Sequence, residues 1–377
     1  MTPLRVAHLI HSLGPGGAEN VLVELAGAAP TAGLELVVVG LSPVPDPVHA
    51  RTLRERGVPV VELGLGRWDL RAVRRAAAVL RERRVQVVHT HLKHADLVGA
   101  LAGARLGLPV VSTLHVIEDA PFGRLARMKR TAGLVGRRRF AAATIAVSHS
   151  QRAWYRQLAG TDDGLVVLPN GVADPGLPAE TDRARIRAAL GVPEGGLIVA
   201  SASLMRPEKG HDLLLDAVAL LDPELPVTVA LAGDGPLRPQ LEARVAADPG
   251  LAARVRFLGY RNDVPALLGA SDLVLHTSRA DALPTTLIHA LAVGVPAVAT
   301  DVGGIPDIVT ADTGLLAPTE PHAIATAVRH LLTDAVQRKS LGDTARAVFL
   351  ERFEARGWAR RLRSVYDDVL TPDQGPH

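Results

Sequence analysis

The sequence predicts an α/β protein of two Rossmann-like, doubly wound domains that face each other across a cleft. Three observations predict it: the chain length, an alternation of short apolar runs with helical stretches, and a restart of that alternation halfway along. A chain of 377 residues is too long for one ordinary core and suits two domains. Aromatic residues make up only 3%, so Ala, Val and Leu must fill the core, as in buried parallel strands covered by helices.

In the first half, seven short runs rich in β-branched residues are predicted strands, and longer segments between them are predicted helices. The strands are 5–10, 36–39, 58–63, 86–89, 109–114, 143–147 and 164–168, and the helices include 18–29, 69–83 and 96–106. A turn-rich segment, NGVADPGLPAE at 170–180, then interrupts the pattern. We therefore place the first domain at residues 1–172.

After this segment the alternation restarts and predicts a second domain at residues 173–350. Its strands are 197–201, 227–232, 255–258, 273–276 and 297–300, and its helices are 211–221, 237–247, 264–269, 284–293 and 321–333. The long amphipathic tail, 344–370, is predicted to be helical, and residues 351–377 are set apart from the second domain as a C-terminal helix. Ligands of such domains bind at the carboxyl ends of the strands.

Composition narrows the class of protein. No cysteine is present, which excludes disulfides and thiolate chemistry. The first residues read as strand and loop rather than as a signal peptide, and no apolar run is long enough for a membrane span, so we expect a cytoplasmic protein. Residues 1–178 contain 22 Lys or Arg against 14 Asp or Glu, which makes this half the better candidate for an anionic partner.

A glycine-rich loop, GPGGAE at 14–19, joins the first strand to the first helix. Backbone N–H groups in such a loop can approach a phosphate, although a tight turn without a ligand fits equally well. The spacing differs from the dinucleotide fingerprint, and no acidic residue ends the second strand to bind a ribose.

Four histidines, His89, His91, His94 and His115, lie at predicted strand ends and point to a polar site. His91 and His94 are three residues apart, which raises the alternative of a metal site. No carboxylates complete a ligand set nearby, so we expect no metal. A purely structural role is the other alternative.

Two segments of the second half combine charges with helix starts. RPEKGHD at 206–212 follows a strand and can clamp a diphosphate through its Arg and Lys, unless it is simply a solvated loop. HTSRADALPTTLIHALAVGVP at 276–296 reads as strand, loop, helix and stop, with Pro284 in the first helical position. The N–H groups of Thr285, Thr286 and Leu287 would form an anion site there, and Asp281 could accept hydrogen bonds from sugar hydroxyls.

With these segments in order, the chain resembles the retaining GT-B glycosyltransferases of glycosyltransferase family 4. The resemblance covers nearly the whole chain, and its strength lies in the ordered set of motifs. They are GGAE at 16–19, TLH at 113–115, PNGV at 169–172, PEKG at 207–210, GDGP at 233–236, LGY at 258–260, the segment 281–289 and VGGIP at 302–306.

The resemblance implies a first domain that binds the acceptor, a second that binds a nucleotide diphosphate sugar, and a last helix that crosses back to the first. It implies front-face displacement without a metal or other cofactor, with UDP-sugars as the family's common donors. The implied catalytic residues are His115, Lys209 and Asp281. The implied donor-binding residues are Gly16, Gly17, Arg206, Lys209, Gly259, Tyr260, Asp281, Thr285, Thr286, Leu287 and His289, and those on the acceptor side are Glu19, His91 and Asn170.

Two features of the motifs depart from the family's pattern. The family usually has two glutamates eight positions apart where this chain has Asp281 and His289, and its usual arginine is Leu204 here, with Arg206 as a neighbouring substitute. A neutral imidazole accepts one hydrogen bond and cannot grip a diol as a carboxylate does. Two alternatives therefore stay open: a non-catalytic sugar-nucleotide-binding protein and a GT-B nucleotide-sugar epimerase.

The stretch from Phe122 to Phe140 contains seven basic residues and no acidic one. It is either a solvated helix face or a surface for peripheral membrane contact at the inner face of the membrane. Nucleic acid is not expected as a partner, because the segment almost lacks aromatic side chains for stacking.

Overall fold

The computed structural model describes residues 3–14, 16–66, 69–117 and 124–371, and it divides the chain into two compact units. Unit 1 comprises Met1–Ala173 and Glu354–His377, and unit 2 comprises Asp174–Phe353. Each unit contains one parallel sheet, so two Rossmann-like α/β units are confirmed.

Unit 1 is built on a seven-stranded parallel sheet in the order β3-β2-β1-β4-β5-β6-β7. Its strands are β1 (Leu4–Ile10), β2 (Leu34–Gly40), β3 (Val60–Glu62), β4 (Val87–His91), β5 (Val110–Thr113), β6 (Ala143–Ala146) and β7 (Leu165–Val167). Its helices are α1 (Gly17–Ala28), α2 (Val48–Glu55), α3 (Arg71–Glu82), α4 (Lys93–Leu106), α5 (Arg124–Phe140), α6 (His149–Ala159) and, at the end of the chain, α15 (Ala355–Leu370). The strand order reverses between β1 and β4, and doubly wound sheets bind ligands at this switch point.

The core of unit 1 has a layer on each side of the sheet. Val6 and Val87 belong to one layer, in which α15 contributes Trp358, Leu362 and Tyr366 beside α1. The other layer packs α3 and α4 against the opposite sheet face. The C-terminal helix is therefore part of the core of unit 1, because it buries its apolar stripe there.

Unit 2 repeats the arrangement with a six-stranded parallel sheet in the order β10-β9-β8-β11-β12-β13. Its strands are β8 (Leu197–Ala202), β9 (Val227–Ala232), β10 (Val255–Gly259), β11 (Leu273–His276), β12 (Ala297–Thr300) and β13 (Gly314–Ala317). Its helices are α7 (Glu180–Ala189), α8 (His211–Ala219), α9 (Arg238–Ala247), α10 (Pro249–Arg254), α11 (Val264–Gly269), α12 (Thr285–Ala292), α13 (Pro321–Thr333) and α14 (Ala335–Val348). The switch point of this sheet lies between β8 and β11.

The tail that is predicted to be helical over 344–370 is divided between two helices. Helix α14 ends at Val348, a π-helical turn follows at Phe349–Phe353, and Glu354 is extended before α15 begins. Glu354 pairs with Val172 in a parallel bridge, and its carboxylate accepts a hydrogen bond from the Gly357 N–H at 2.9 Å. The chain is thus turned and recapped at the point where it passes from unit 2 to unit 1.

The basic stretch is only partly described. Helix α5 covers Arg124–Phe140, but Phe122 and the side chains of 124–130 lie outside the described residues. Within the rest, Arg137 forms an ion pair with Asp96, whereas Arg138 and Arg139 are exposed. Across the described parts of the chain, no helix combines the length and apolar character needed to cross a membrane.

Candidate active site

The principal cluster of unit 2 lies at its switch point and joins Lys209 to Asp281. Lys209 ends a 3₁₀ turn after β8, and Asp281 lies in the loop after β11. The Lys209 Nζ donates to the Asp281 Oδ2 at 2.5 Å, and only 22% and 12% of the two side chains are exposed. The two residues predicted to be catalytic in this half of the chain are therefore brought together in a largely buried ion pair.

Two further side chains complete this cluster. His276, the last residue of β11, lies 3.4 Å from Asp281 Oδ2 through Nε2 and 2.9 Å from the Ser278 hydroxyl. Burial would raise the pKa of Asp281, but the hydrogen bond of His276 and the charge of Lys209 outweigh it and lower this pKa to about 2. Asp281 is thus a carboxylate at neutral pH and can accept hydrogen bonds from hydroxyl groups.

The loops that carry Lys209 and Asp281 are fixed to each other by backbone contacts. Gly210 has a φ of 63°, and any Cβ there would collide with the Thr277 carbonyl oxygen. The Thr277 hydroxyl donates to the Gly210 carbonyl at 2.9 Å, and the Arg279 N–H donates to the Glu208 carbonyl at 2.8 Å. This close approach requires a glycine, which explains its place directly after the lysine.

Helix α12 begins beside the same cluster. Pro284 is the N-cap, in extended conformation, so the prediction of Pro284 in the first helical position is off by one residue. The Leu287 N–H donates to the Pro284 carbonyl at 3.1 Å, so the donors left for an anion are those of Thr285 and Thr286. The Thr286 hydroxyl donates to the Ala202 carbonyl at 2.8 Å, which holds the helix start against the end of β8.

His289 lies on α12 one turn further along. Burial lowers its pKa to about 4, so its imidazole is neutral at neutral pH. Its Nδ1 atom is buried and has no hydrogen-bond partner within the described ranges of the chain. The position that departs from the family's pattern therefore carries an uncharged ring.

The other predicted donor-binding residues of unit 2 are more open. Arg206 is exposed and precedes the 3₁₀ turn of Lys209. Gly259 ends β10 with a φ of 68°, and its carbonyl accepts from the Gly233 N–H at 2.7 Å. Tyr260, which follows it, is 67% exposed.

At the switch point of unit 1, three histidines form a hydrogen-bonded chain. The His8 Nδ1 lies 2.9 Å from the His91 Nε2, and the His91 Nδ1 lies 2.8 Å from the His115 Nε2. Two of these three histidines, His91 and His115, are among the site residues predicted from the sequence. The third, His8, was not predicted. Burial lowers the pKa of His115 to about 4, that of His8 to about 3 and that of His91 well below 6.5, so the rings are neutral.

His91 and His94, the pair considered as metal ligands, contact different histidines. His91 belongs to the chain just described, whereas His94 lies 3.0 Å from His11 through the two Nδ1 atoms. Among the described residues, His8, His89 and His91 are a group whose ring nitrogens lie within 4.8 Å of one another and could hold a cation. Both ring nitrogens of His89 and His91 already make hydrogen bonds, so a cation would have to displace them.

The remaining predicted residues of unit 1 surround this switch point. Gly16 is the N-cap of α1, and the Glu19 carboxylate folds back so closely that a Cβ on Gly16 would collide with it. No atom of the described chain lies within 4 Å of where a Cβ of Gly17 would be, so space does not demand a glycine there. Asn170 is buried and lines a small cavity together with His8.

Unit 1 also contains a pocket of about 90 Å³ next to His115. Its lining is mostly apolar and includes Leu97 and Trp154, with the Asp96–Arg137 ion pair of 2.5 Å at its wall. Asp96 also accepts hydrogen bonds from Thr90 and Ser112.

Several of these residues escaped prediction, one of them although a usable signal existed. His276 ends an apolar strand, so collecting the polar residues at every strand end would have found it, whereas His8 lies within β1 and gave no signal of this kind. The Asp96–Arg137 pair had no such signal, because its members are far apart in sequence and meet only through packing.

Both halves of the chain match models of sugar-transferring enzymes. Residues 15–174 match Glycosyltransferase Family 4, and residues 195–334 match Glycosyl transferases group 1. The D-inositol 3-phosphate glycosyltransferase of Corynebacterium kroppenstedtii is 30% identical over 318 residues, which are 77% of this chain and 68% of that protein. The N-acetyl-alpha-D-glucosaminyl L-malate synthase of Bacillus anthracis is 27% identical over 319 residues, 81% of each protein.

A solved structure extends the likeness to the fold. The crystal structure of Anabaena HepE in complex with UDP-glucose superposes with a TM-score of 0.83 at 26% identity and covers 96% of this chain and 98% of that one. Fold and matches together define a GT-B glycosyltransferase. The chain belongs to the group 1, family 4 glycosyltransferases.

Proposed function

We propose that this enzyme transfers a sugar from a UDP-sugar to an acceptor hydroxyl with retention of the anomeric configuration and without a metal. The observation that carries the proposal is the Lys209–Asp281 pair at the switch point of unit 2, beside the start of α12. HepE, which is similar over nearly its whole length, is described in complexes with UDP and UDP-glucose.

Different residues of unit 2 bind different parts of the donor. Lys209 and the N–H groups of Thr285 and Thr286 neutralise the diphosphate, a task that a metal performs in other transferases. Asp281 accepts hydrogen bonds from the sugar hydroxyls, since it stays ionised. Tyr260 covers the nucleobase, and His289 accepts a hydrogen bond from the ribose.

The chemical step is a front-face displacement. The bond between the anomeric carbon and the diphosphate breaks, and the acceptor oxygen forms its bond on the same face of the sugar. The departing diphosphate takes the proton of the acceptor hydroxyl, so UDP leaves and no protein group is consumed. The positive charge of Lys209 stabilises the developing negative charge on the leaving group.

Thermal unfolding with nucleotides tests the donor site. The purified protein is heated with UDP, GDP, TDP or ADP, each with magnesium and with EDTA. A nucleotide at a hundred times its dissociation constant adds roughly 2.7 kcal/mol to the free energy of unfolding. Stabilisation by UDP alone, equal in magnesium and EDTA, is expected; a requirement for magnesium would contradict the metal-free site.

The acceptor is proposed by class. The two relatives described above are named for D-inositol 3-phosphate and for L-malate, both of which are small hydroxylated anions. The excess of basic residues in the first half of the chain suits such an acceptor. A screen of UDP-sugars against hydroxylated acids, inositol phosphates and saccharides, read by UDP release, identifies the pair, and the anomeric proton coupling of the product reports retention.

The non-catalytic alternative is motivated by His289 and Leu204. If the protein binds UDP but releases none with any acceptor in the screen, this alternative replaces the transferase. Inversion of the configuration at one carbon of the donor sugar, in the absence of an acceptor, would instead identify an epimerase.

Peripheral membrane contact through Phe122–Phe140 and a cytoplasmic location remain predictions. Sedimentation with anionic liposomes at low salt tests the former, and absence of binding would remove it. Arg138 and Arg139, which are exposed, are the residues to replace in a control variant.

A further inference from the structure

One face of the unit 1 sheet changes from apolar to polar toward the carboxyl ends of its strands. Strand pairing places His8 opposite His89 and His91 opposite Thr113. Because side chains alternate along a strand, these four lie on the face that Val6 and Val87 occupy further back. A valine layer thus gives way to a cluster of histidines at the switch point.

Within this cluster two hydrogen-bonded groups are separate. His8, His91 and His115 form one line, with distances of 2.9 and 2.8 Å between their ring nitrogens. His89 forms the other group, through the Tyr366 hydroxyl at 2.6 Å and the Thr113 hydroxyl at 2.7 Å. The His89 and His91 rings stack at 4.4 Å between centroids, which restrains the His91 ring without bonding it.

The line of three rings allows only two arrangements of protons. His91 is neutral, so one of its nitrogens donates and the other accepts. If His8 donates from Nδ1, then His91 donates from Nδ1 and His115 accepts at Nε2. In the reverse arrangement His115 donates from Nε2 and every proton lies on the other nitrogen. The protonation of His115 Nδ1 is therefore coupled to that of His8 Nε2.

The surroundings of His8 select one of the two arrangements. Its Nε2 is buried and finds no hydrogen-bond partner among the residues that the structure describes. It belongs to a cavity of about 10 Å³ lined mainly by apolar groups such as Leu22 and Trp358, with Asn170 at one side. This volume is at the lower limit for one water molecule. An unpartnered buried N–H is the rarer and costlier case, so Nε2 is left without a proton and Nδ1 carries it.

We propose that His8 and His91 are positioning residues that hold His115 in the tautomer with its proton on Nδ1. This proposal rests on the proposed function and on the catalytic role that the family resemblance implies for His115, in contact with the transferring sugar. A fixed Nδ1–H donates a hydrogen bond to a sugar hydroxyl oxygen in one orientation, whereas a mixture of tautomers would offer a donor or an acceptor in turn. The histidine line thereby converts a ring with two states into a defined donor.

Nitrogen NMR of the protein labelled with ¹⁵N-histidine tests the tautomer directly. The His115 signals are identified by their loss in His115→Gln. In the wild-type protein without donor, we expect Nδ1 to resonate as a protonated nitrogen and Nε2 as an unprotonated one. The reverse pattern, or averaged shifts, would overturn the proposal.

Variants at His8 separate positioning from simple packing. His8→Leu removes the donor to His91, so we expect the His115 shifts to become averaged and kcat to fall about tenfold with the KM for the UDP-sugar unchanged. His8→Asn keeps an N–H at the Nδ1 position and is expected to restore both. Tyr366→Phe breaks a buried hydrogen bond in the same core outside the line, and it should leave the His115 shifts unchanged.

The possible failures are distinguishable. Unchanged His115 shifts in a folded His8→Leu protein would refute the coupling, and so would a stoichiometric divalent cation that both His8 variants lose. Full transfer activity in His115→Gln would instead remove His115 from the proposed function, while the tautomer measurement, made without a substrate, would still stand.

Discussion

Lys209 meets a carboxylate in the donor-free enzyme and a diphosphate in the proposed complex, so its replacement affects the two states differently. In Lys209→Ala, Asp281 keeps His276 and Ser278 as partners, and we expect the free energy of unfolding to fall by only about 1–2 kcal/mol. Transfer loses the charge opposite the leaving group and should fall at least ~100-fold. Initial rates of UDP release and urea unfolding measure the two effects.

Lys339→Ala is the matched control for that variant. Lys339 also forms an ion pair with an aspartate, Asp343, but the two side chains are 77% and 70% exposed on α14. Exposed pairs contribute little to stability, and this one lies away from β8 and β11, so neither activity nor stability should change. Equal activity of the two alanine variants would remove Lys209 from the donor site.

His289 is one of the positions at which this chain departs from its family, and one nitrogen of its neutral ring has no partner among the described residues. A glutamate there would offer two acceptor oxygens to a ribose diol, so we expect His289→Glu to bind UDP roughly 3- to 10-fold more tightly, a gain of about one hydrogen bond. Titration calorimetry with UDP measures it. His289→Gln, which keeps a neutral side chain, is expected to bind as the parent does; weaker binding in the glutamate variant would mean that the His289 ring makes a contact with the donor that a carboxylate cannot replace.

At the scale of elements, the loop after β8 depends on the contact between Gly210 and Thr277. Gly210→Ala forces a Cβ against the Thr277 carbonyl oxygen and displaces Lys209, so nucleotide affinity and transfer should both fall. Gly191→Ala is its control, since Gly191 has a φ of 67° but no described atom within 4 Å of a Cβ. Both changes cost about 1 kcal/mol for the left-handed backbone. The additional loss in Gly210→Ala, measured by urea unfolding and UDP titration, isolates the contact; identical behaviour of the two variants would show that the loops are independent.

The periodicity of apolar residues predicted correctly the bounds of several strands that are buried on most sides. Its predictions were less accurate for the more exposed elements. The strands Val227–Ala232, Leu273–His276 and Ala297–Thr300 have the predicted bounds, because each is an apolar run with clear breaks. Strand β13 was missed, since it is a short edge strand with half of its residues partly exposed. The start of the C-terminal helix was predicted at 351, whereas α15 begins at Ala355 after a π-helical turn and the pairing of Glu354 with Val172, which the amphipathic pattern does not reveal.

The candidate site shows the same division. Lys209 and Asp281 were predicted, because each stands in a motif next to a strand end. His8 and Arg137 were not, since their roles depend on which strands and helices are neighbours in space, and His276 was overlooked although it ends an apolar strand. The order β3-β2-β1-β4 places His8 beside His89, although 81 residues separate them. A sequence without aligned relatives does not contain that neighbour relation.

At the scale of the whole molecule, buried histidines make stability depend on pH. His8, His89, His91 and His115 have folded-state pKa values lowered by burial, whereas in the unfolded chain each titrates near 6.5. As the pH falls below 6.5, these histidines therefore bind protons in the unfolded chain but not in the folded protein. Stability is complete above about pH 6.5 and declines toward the folded-state values, by about 1.4 kcal/mol per pH unit for each histidine.

Each such ring loses about 1 kcal/mol between pH 6.5 and pH 5.5, so the four in unit 1 predict a loss of roughly 4 kcal/mol if they act independently. His211 and His289 of unit 2 change stability in the same direction, because burial lowers their pKa values to about 4. Urea unfolding at pH 7.5, 6.5 and 5.5 measures it. The carboxylate of Asp281 does not interfere, because its lowered pKa of about 2 affects stability only as the pH falls below its unfolded value near 4. His8→Asn removes one of the four rings and should flatten the decline, whereas exchange of the exposed Arg138 for alanine should leave it unchanged. A free energy of unfolding that stays constant from pH 7.5 to 5.5 would mean that these histidines take up protons in the folded protein.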